Sequence, residues 1–386
     1  MRRIQKAGIH DMANTHTSDV IIIGAGPAGL GAALGLARSG IRVVVLEKQE
    51  HIGDQRRGET IRFSPEMEAL LGDGFFQKQT RHVVSRRRYY SHTGLSHVDR
   101  KISNPNIIID WRDFLEALAD SARQAGARIW TGAVATRLIE QGGRISGAAA
   151  VVKGSVEEEL SAAAVISCGG ITDPASDHLG YDRSRMDMPV FKQLVRGYEG
   201  PQDRLEYFLH TEQEGLVVAT VFPRGNTEAE VIILAAIPGR KFVGNPGAFA
   251  EEHPVFAQAY QGTEPFYTLK TFIPMGGMLS RVSPLPGLMM AGDALGHVQA
   301  RGGSGIRTSF LIGHSVGTLS AEVIRSGGFT EENRVKFESS MQSLPTLRAL
   351  KRHNFVYSRL RSSLFSLVKT PQDMDQYWFL LKQALR

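Results

Sequence analysis

The hexapeptide Gly24-Ala25-Gly26-Pro27-Ala28-Gly29 constrains this chain more than any other feature. Asp19 to Ile23 reads as a short buried strand, Ala28 to Ser39 as a small-residue helix ended by Gly40, and Arg42 to Glu47 as a second strand. A β-α-β unit is therefore expected, with G-x-G-x-x-G at its first turn. In that geometry Gly24 permits the tight turn, Gly26 lets a pyrophosphate approach the backbone, and Gly29 lets helix and strand pack closely. Pro27 and Ala28 open the helix, whose free N–H groups then face the phosphates. Glu47 ends the second strand about twenty residues on, with Lys48 after it, where a carboxylate accepts hydrogen bonds from ribose hydroxyls. An adenine dinucleotide is implied, and this turn alone leaves FAD and NAD open.

Composition narrows the class. The 386 residues are 42% hydrophobic and 22% charged, enough for one large domain or two interlocked ones and unlike a disordered chain. The run from Val20 to Ala37 has roughly the length of a membrane span, but its glycines fit a strand, turn and helix instead. One cysteine, Cys168, excludes an intramolecular disulfide and a cysteine-clustered metal site, so no metal is expected. Met1 to Asp19 has no apolar stretch of the kind found in a signal peptide, which predicts a cytoplasmic protein. The net charge of +6 suits an anionic partner. No basic and aromatic pattern of a nucleic-acid module accompanies it, and no nucleic acid is expected.

Without repeats or linkers, any second domain must be inserted into the first. The reading is a flexible N-terminal tail over 1–18 and a dinucleotide-binding domain in three parts, 19–80, 111–185 and 276–328. A substrate domain takes 81–110 and 186–275, and helices fill 329–386. Within these, Arg112 to Ala125 has helical spacing, Arg128 to Trp130 adds a strand to the first sheet, and Ile145–Val152 and Leu160–Ile166 read as meander strands. Phe191 to Ala236 reads as antiparallel sheet. Leu288 to Ala291 returns to a buried strand, and Gly305 to Ile324 is a long apolar helix. The fold class is α/β, a doubly wound Rossmann-like domain with an inserted antiparallel β domain.

A second motif decides the cofactor. Ala291-Gly292-Asp293-Ala294-Leu295-Gly296-His297 precedes Arg301-Gly302-Gly303-Ser304-Gly305-Ile306, a strand, a Gly-Asp turn and glycines opening a long helix. Together with Gly58-Glu59-Thr60, Trp111-Arg112-Asp113-Phe114, Phe222-Pro223 and Ile273-Pro274-Met275-Gly276-Gly277, in this order, the chain resembles the FAD-dependent p-hydroxybenzoate hydroxylase superfamily. Within it, the geranylgeranyl reductase group is most similar. The resemblance spans Asp19 to about Ile324 and implies FAD. It also implies that Asp293 holds the ribityl chain, Arg112 reaches the pyrophosphate and the Val134 backbone borders the adenine. Gly302, Gly303, Gly305 and Ile306 would lie beside the isoalloxazine, where the positive end of a helix stabilises a reduced, anionic flavin.

The chain also departs from its relatives. Reductases of the group often carry Cys-Gly-Glu, and here Arg57 stands in the place of the cysteine. Arg56 and Arg57 are candidates for an anionic substrate group or for solvated surface. Hydroxylases carry Asp-Gly near mid-chain where this sequence has Cys168-Gly169-Gly170, which lowers support for NADPH-dependent hydroxylation and raises that for a separate reductase or ferredoxin-like donor, with the external electron donor left open among a reductase, a ferredoxin and NAD(P)H. Halogenases use a lysine beside a tunnel and a Trp-x-Trp-x-Ile-Pro segment, whereas here no lysine lies between Lys78 and Lys101 and no such tryptophan pair occurs. The catalytic candidates are Arg57, Glu59 and His297. Glu59 has a salt bridge to Arg56 or Arg112 as its alternative role, and His297 has the capping of its loop.

These features predict an FAD-dependent oxidoreductase acting on a small or lipid-like substrate by reduction of a C=C bond. The alternatives are a flavin-dependent monooxygenase, acting on an aromatic ring or a partner-protein residue, and a non-catalytic electron-transfer flavoprotein. From Glu338 to Asp373 the chain is basic with helical apolar spacing, which suits peripheral contact with the inner membrane face as well as plain packing with its basic residues in solvent.

Overall fold

The computed structural model describes residues 18–57, 59–181, 188–212, 215–235, 244–275, 281–300, 303–365, 368 and 370–385. In chain order the elements begin with β1 (Val20–Ile23), α1 (Pro27–Arg38), β2 (Val43–Glu47), β3 (Thr60–Arg62), α2 (Pro65–Leu71) and α3 (Phe75–Gln79). They continue with β4 (His82–Tyr90), β5 (His97–Ile108), α4 (Trp111–Gln124), β6 (Arg128–Thr131), β7 (Ala133–Gln141), β8 (Arg144–Val152), β9 (Glu158–Ser161), β10 (Ala164–Ser167) and α5 (Pro174–His178). Next come β11 (Met188–Arg196), β12 (Arg204–Glu212), β13 (Gly215–Gly225), β14 (Glu228–Ala235), α6 (Pro246–Glu252), α7 (Pro254–Tyr260) and β15 (Glu264–Ile273). The chain closes with β16 (Leu288–Met290), α8 (Ile306–Arg325), α9 (Glu331–Ser343), α10 (Pro345–Phe365) and α11 (Pro371–Leu385).

Continuous apolar runs such as Val20-Ile21-Ile22-Ile23 form strands buried on both faces, as a parallel sheet requires. Five of them, in the order β16-β10-β1-β2-β6, make that sheet, and every neighbouring pair in it is parallel. The chain leaves β1 through α1 to β2 on one side, while β10 lies on the other, so the carboxyl end of β1 is a topological switch point. An eight-stranded sheet, β15-β11-β14-β13-β12-β4-β5-β3, carries the insertion. Its pairings are antiparallel except for β12 with β4, which is parallel. The meander β7-β8-β9 shares the core of the parallel sheet through Leu138, Ala148, Ala150 and Leu160. Leu160–Ile166 is therefore not one strand: β9 ends the meander at Ser161, and after two residues β10 enters the parallel sheet. The sign change in burial at Glu158-Glu159-Leu160-Ser161 against the fully buried Ala164-Val165-Ile166-Ser167 gives the reason.

The closest helix contact joins α1 to α8, and glycine makes it possible. A Cβ built on Gly31 would lie 2.3 Å from the Phe310 carbonyl oxygen, and one on Gly35 would lie 2.6 Å from that of His314. Reciprocally, Gly313 would meet the Ala28 carbonyl at 2.1 Å and Gly317 that of Ala32 at 2.2 Å. Both partners advance together along their chains, so the two helices run parallel and their N-termini open at the same end. At the other extreme of the chain, α10 exposes Phe355 and Val356 beside Arg348, Arg352 and Arg359. Among the described residues no helix is long and apolar enough to cross a membrane.

Replacing Gly313 by Val forces backbone apart at this contact. The variant is expected to lose about 1–3 kcal/mol of stability, read as a lowered Tm by circular dichroism. An unchanged Tm would contradict the packing described.

Candidate functional site

The two glycine motifs meet at the switch point. Gly24 sits at φ +94°, a conformation that side chains disfavour, and its Cβ would strike the Cys168 carbonyl oxygen at 2.6 Å. Gly292, at φ +70°, follows β16, and its Cβ would lie 2.8 Å from Ala28 Cβ. Gly29 packs against the Gly24 carbonyl, where a Cβ would come within 1.9 Å. These three are close-approach positions. Gly26 differs from them: a Cβ there would meet nothing within 4 Å, so its missing side chain leaves open space at the start of α1.

Helix caps point the same way. Ser64, Asp110, Asp173, Asn245, His253 and Thr330 cap α2, α4, α5, α6, α7 and α9 with side-chain acceptors. By contrast α1 and α8 start at Gly26 and Gly305 with no side-chain cap and no acidic residue in the first turn. Two parallel helices thus present uncapped, positive N-termini to one place, the arrangement that receives an extended anionic ligand. Glu47 borders it: its carboxylate accepts the Ala25 N–H at 2.8 Å and the Gln49 N–H at 2.9 Å. Lys48 donates to Thr172 Oγ1 at 3.0 Å. Pro27 and Ala28 form the first turn of α1. Val134 lies exposed at the start of β7, and Arg112 is the second residue of α4, where it pairs with Asp54.

At the α8 end, Gly303 takes φ +68°, and its Cβ would meet Ile273 at 3.2 Å and Met275 at 3.5 Å. Gly305 and Ile306 open α8, Asp293 follows Gly292, and Gly302 lies outside the described residues. His297 is fully buried, and its Nδ1 accepts the Gly292 N–H at 3.1 Å. Its proton therefore sits on Nε2. Burial pushes its pKa down to about 3, which leaves the ring uncharged at neutral pH. His297 thus holds the Gly-Asp turn, its structural alternative. Asn354 of α10, which no motif marked, clamps the same loop by accepting from Ala300 N at 2.9 Å and donating to the Val298 carbonyl at 2.8 Å.

Glu59 lies in a buried ion network that joins the eight-stranded sheet to the loop before β3 and to the start of α4. It pairs with Arg224, with Arg56 at 3.6 Å and with Lys192 at 3.9 Å, and Lys192 also pairs with Glu230 at 2.7 Å. Arg56 reaches Asp110 as well, the cap of α4. Of the two partners expected for Glu59, Arg56 is present and Arg112 is engaged elsewhere. Three cations, Arg56, Lys192 and Arg224, face four carboxylates, Glu59, Asp110, Glu228 and Glu230, so each buried charge has an opposite charge beside it. Sequence reasoning missed Lys192, Arg224 and Glu230. The signal was a charged residue at a core-facing position of an otherwise apolar strand. Lys192 also donates to the Arg57 carbonyl at 2.8 Å and fixes the loop from Gln55 to Arg57. Asp173, which follows the Gly169-Gly170 pair, folds inward to accept from Gly169 N at 2.5 Å and Ala175 N at 2.9 Å.

The open space at Gly26 and the uncapped N-termini fit an FAD-sized dinucleotide, which α1 would hold at one end and the Gly303–Ile306 opening at the other. Gly26→Val, whose Cβ meets nothing within 4 Å, is expected to melt like the wild type yet purify without cofactor absorbance. Asp293→Ala is expected to retain far less cofactor. A fully loaded, yellow Gly26→Val protein would show that the dinucleotide sits elsewhere.

Comparisons with known proteins agree with this geometry. The FAD binding domain family model matches residues 17–329. A digeranylgeranylglycerophospholipid reductase from Methanothrix thermoacetophila is 26% identical over 330 residues, covering 83% of this chain and 82% of its own. One from Methanosphaera stadtmanae is 25% identical over 93% of this chain and 89% of its own. A solved geranylgeranyl bacteriochlorophyll reductase-like protein from Thermoplasma acidophilum superposes with a TM-score of 0.74, at 18% identity over 93% of this chain and 95% of that one. A probable FAD-dependent monooxygenase from Pseudomonas aeruginosa does so with a TM-score of 0.64, at 16% identity over 94% and 99%. The resemblance to the geranylgeranyl reductase-like group is borne out, and FAD, not NAD, is the cofactor. The chain belongs to the FAD binding domain family and is an FAD-dependent oxidoreductase.

Proposed function

We propose that the protein is a reductase that saturates a carbon–carbon double bond in a lipid-like substrate. The observation that carries this reading is an apolar wall beside the α8 opening. Met188, Leu234, Ile273, Met275 and Val298 form one cluster, and Gly303 packs against two of them. From there the same face of the eight-stranded sheet continues through Ile232 to Val218, because register aligns Ile232 with Thr220 and Leu234 with Val218, and Val218 and Tyr89 then pack with the cluster that includes Met374 and Trp378 of α11. Farther on, Tyr207 stacks on Tyr89 with centroids 4.7 Å apart and meets Phe222 edge-on at 5.7 Å. An apolar chain laid on the part of this floor that α11 leaves uncovered removes hydrocarbon surface from water at about 25 cal/mol per Å². The names of the methanogen relatives support the same substrate class.

Bound FAD supplies the two-electron redox chemistry. The chain's own residues position and shield. Gly303 and Gly305 keep side chains out of the approach to α8, and the uncapped first turn stabilises negative charge gathering there. His297 and Asn354 hold the loop between Gly292 and Ala300, and in this reading His297 is a positioning residue. Glu59 has the same standing, since it is locked among Arg56, Lys192 and Arg224. We assign electron delivery to a separate redox protein, because glycine stands at 169 and 170 and Asp173 is turned inward.

The test is single turnover. Holoprotein reduced anaerobically with dithionite and mixed with a polyprenyl phospholipid should be reoxidised, with product gaining two mass units for each bond saturated. Reoxidation only by oxygen, with labelled oxygen in the product, would make the protein a monooxygenase. Neither outcome, with electrons passing only to a protein acceptor, would make it an electron carrier.

A further inference from the structure

We infer that Arg57 is a specificity-determining residue that binds an anionic group of an otherwise apolar substrate. This rests on the proposed lipid-like substrate and adds a polar end to it.

Among the described residues Arg57 has no carboxylate partner, unlike the two arginines nearest to it in the ion network. Its neighbour Arg56 is paired with Asp110 and Glu59, and Arg224 is paired with Glu59. Arg57 meets only neutral acceptors: Nη1 donates to Thr271 Oγ1 at 3.0 Å and approaches the Phe272 carbonyl at 3.5 Å, and Nη2 reaches the Gln55 amide oxygen at 3.5 Å. Among the described residues no carboxylate comes within 4 Å of it. The two contacts at 3.5 Å are weak by hydrogen-bond standards, so most of the guanidinium's donor capacity is unspent.

The loop that carries Arg57 is built to stay in place. Lys192 holds the Arg57 carbonyl, the Arg56 N–H donates to Tyr267 Oη at 2.9 Å, and the Arg56 side chain is tied to Asp110. An arginine on a mobile surface loop would need none of this support. Preorganisation lowers the entropic cost of capturing a ligand.

Its location makes the ligand amphiphilic. Thr271 and Ile273 are two residues apart on β15, so their side chains share one face roughly 7 Å apart. Ile273 is the residue against which Gly303 packs and belongs to the apolar wall with Met275 and Val298. A cationic fork therefore stands at the rim of a hydrocarbon wall. Guanidinium geometry matches carboxylate and phosphate alike, in a bidentate pair. The shared chemistry is an oxyanion joined to an apolar body.

The experiment uses oxidised holoprotein, so it needs no turnover. Decanoate, decyl phosphate and decanol are titrated in parallel, with binding read by calorimetry and by perturbation of the flavin absorbance. The wild type is expected to bind at least one of the two anions about tenfold or more tightly than decanol. Preference for decanoate marks a carboxylate, and preference for decyl phosphate marks a phosphate ester. Arg57→Gln is expected to keep its FAD and its affinity for decanol while losing the preference, and Arg57→Lys to keep part of it. Equal affinity for all three ligands, absence of binding by any, or an Arg57→Gln protein that still discriminates would overturn the inference. Polyprenyl lipid reduction by a protein that fails this test would leave the reductase reading standing without an anion site.

Discussion

Everything at this site depends on the parallel contact between α1 and α8. Side-by-side parallel helices align their dipoles unfavourably, and their positive ends repel. Here Gly31 and Gly35 on one helix and Gly313 and Gly317 on the other let the backbones touch, which gains dispersion energy that larger residues would forbid. Neither first turn carries an acidic residue or a side-chain cap, so the repulsion at the N-termini is offset only in part by Glu47, whose carboxylate accepts the Ala25 N–H beside α1. An extended, anionic nucleotide bound across both openings would relieve it. Glycine spacing at the helix interface and glycine turns at the helix starts are therefore two parts of one device: the first brings the openings together, and the second lets the ligand in.

The second constraint is the ion network around Glu59. Its members come from the loop before β3, the cap of α4, β11, β13 and β14, so it fastens the inserted sheet to the nucleotide domain at a fixed distance. A buried network costs desolvation energy and gains specificity of arrangement only when each charge is matched. Here it sets where the loop of Arg57 stands relative to β15 and the apolar wall. The same logic explains Asn354: a helix from the last part of the chain reaches back to satisfy two backbone groups of the loop that follows Gly292.

The range of each interaction decides how much of it is legible in the sequence. The turn at Gly24–Gly29, the helix after it and the Gly-Asp strand were legible because each is specified within a dozen residues by backbone demands that only glycine meets. The split of Leu160–Ile166 was not legible, since two short strands in different sheets share one apolar run and only tertiary pairing separates them. Lys192, Arg224 and Glu230 each look like ordinary strand residues until three distant segments are brought together. The role of His297 was open for the same reason: an adjacent motif suggested chemistry, while complete burial and the bond from Gly292 N point to a neutral, loop-holding ring.

The most direct test of the account is a crystal structure of the FAD-bound protein. The account predicts one FAD per chain, with its pyrophosphate at the Gly26 opening of α1 and its ring system against Gly303–Ile306 at the start of α8. Density that engaged only one of the two helix openings, or that lay away from both, would contradict it.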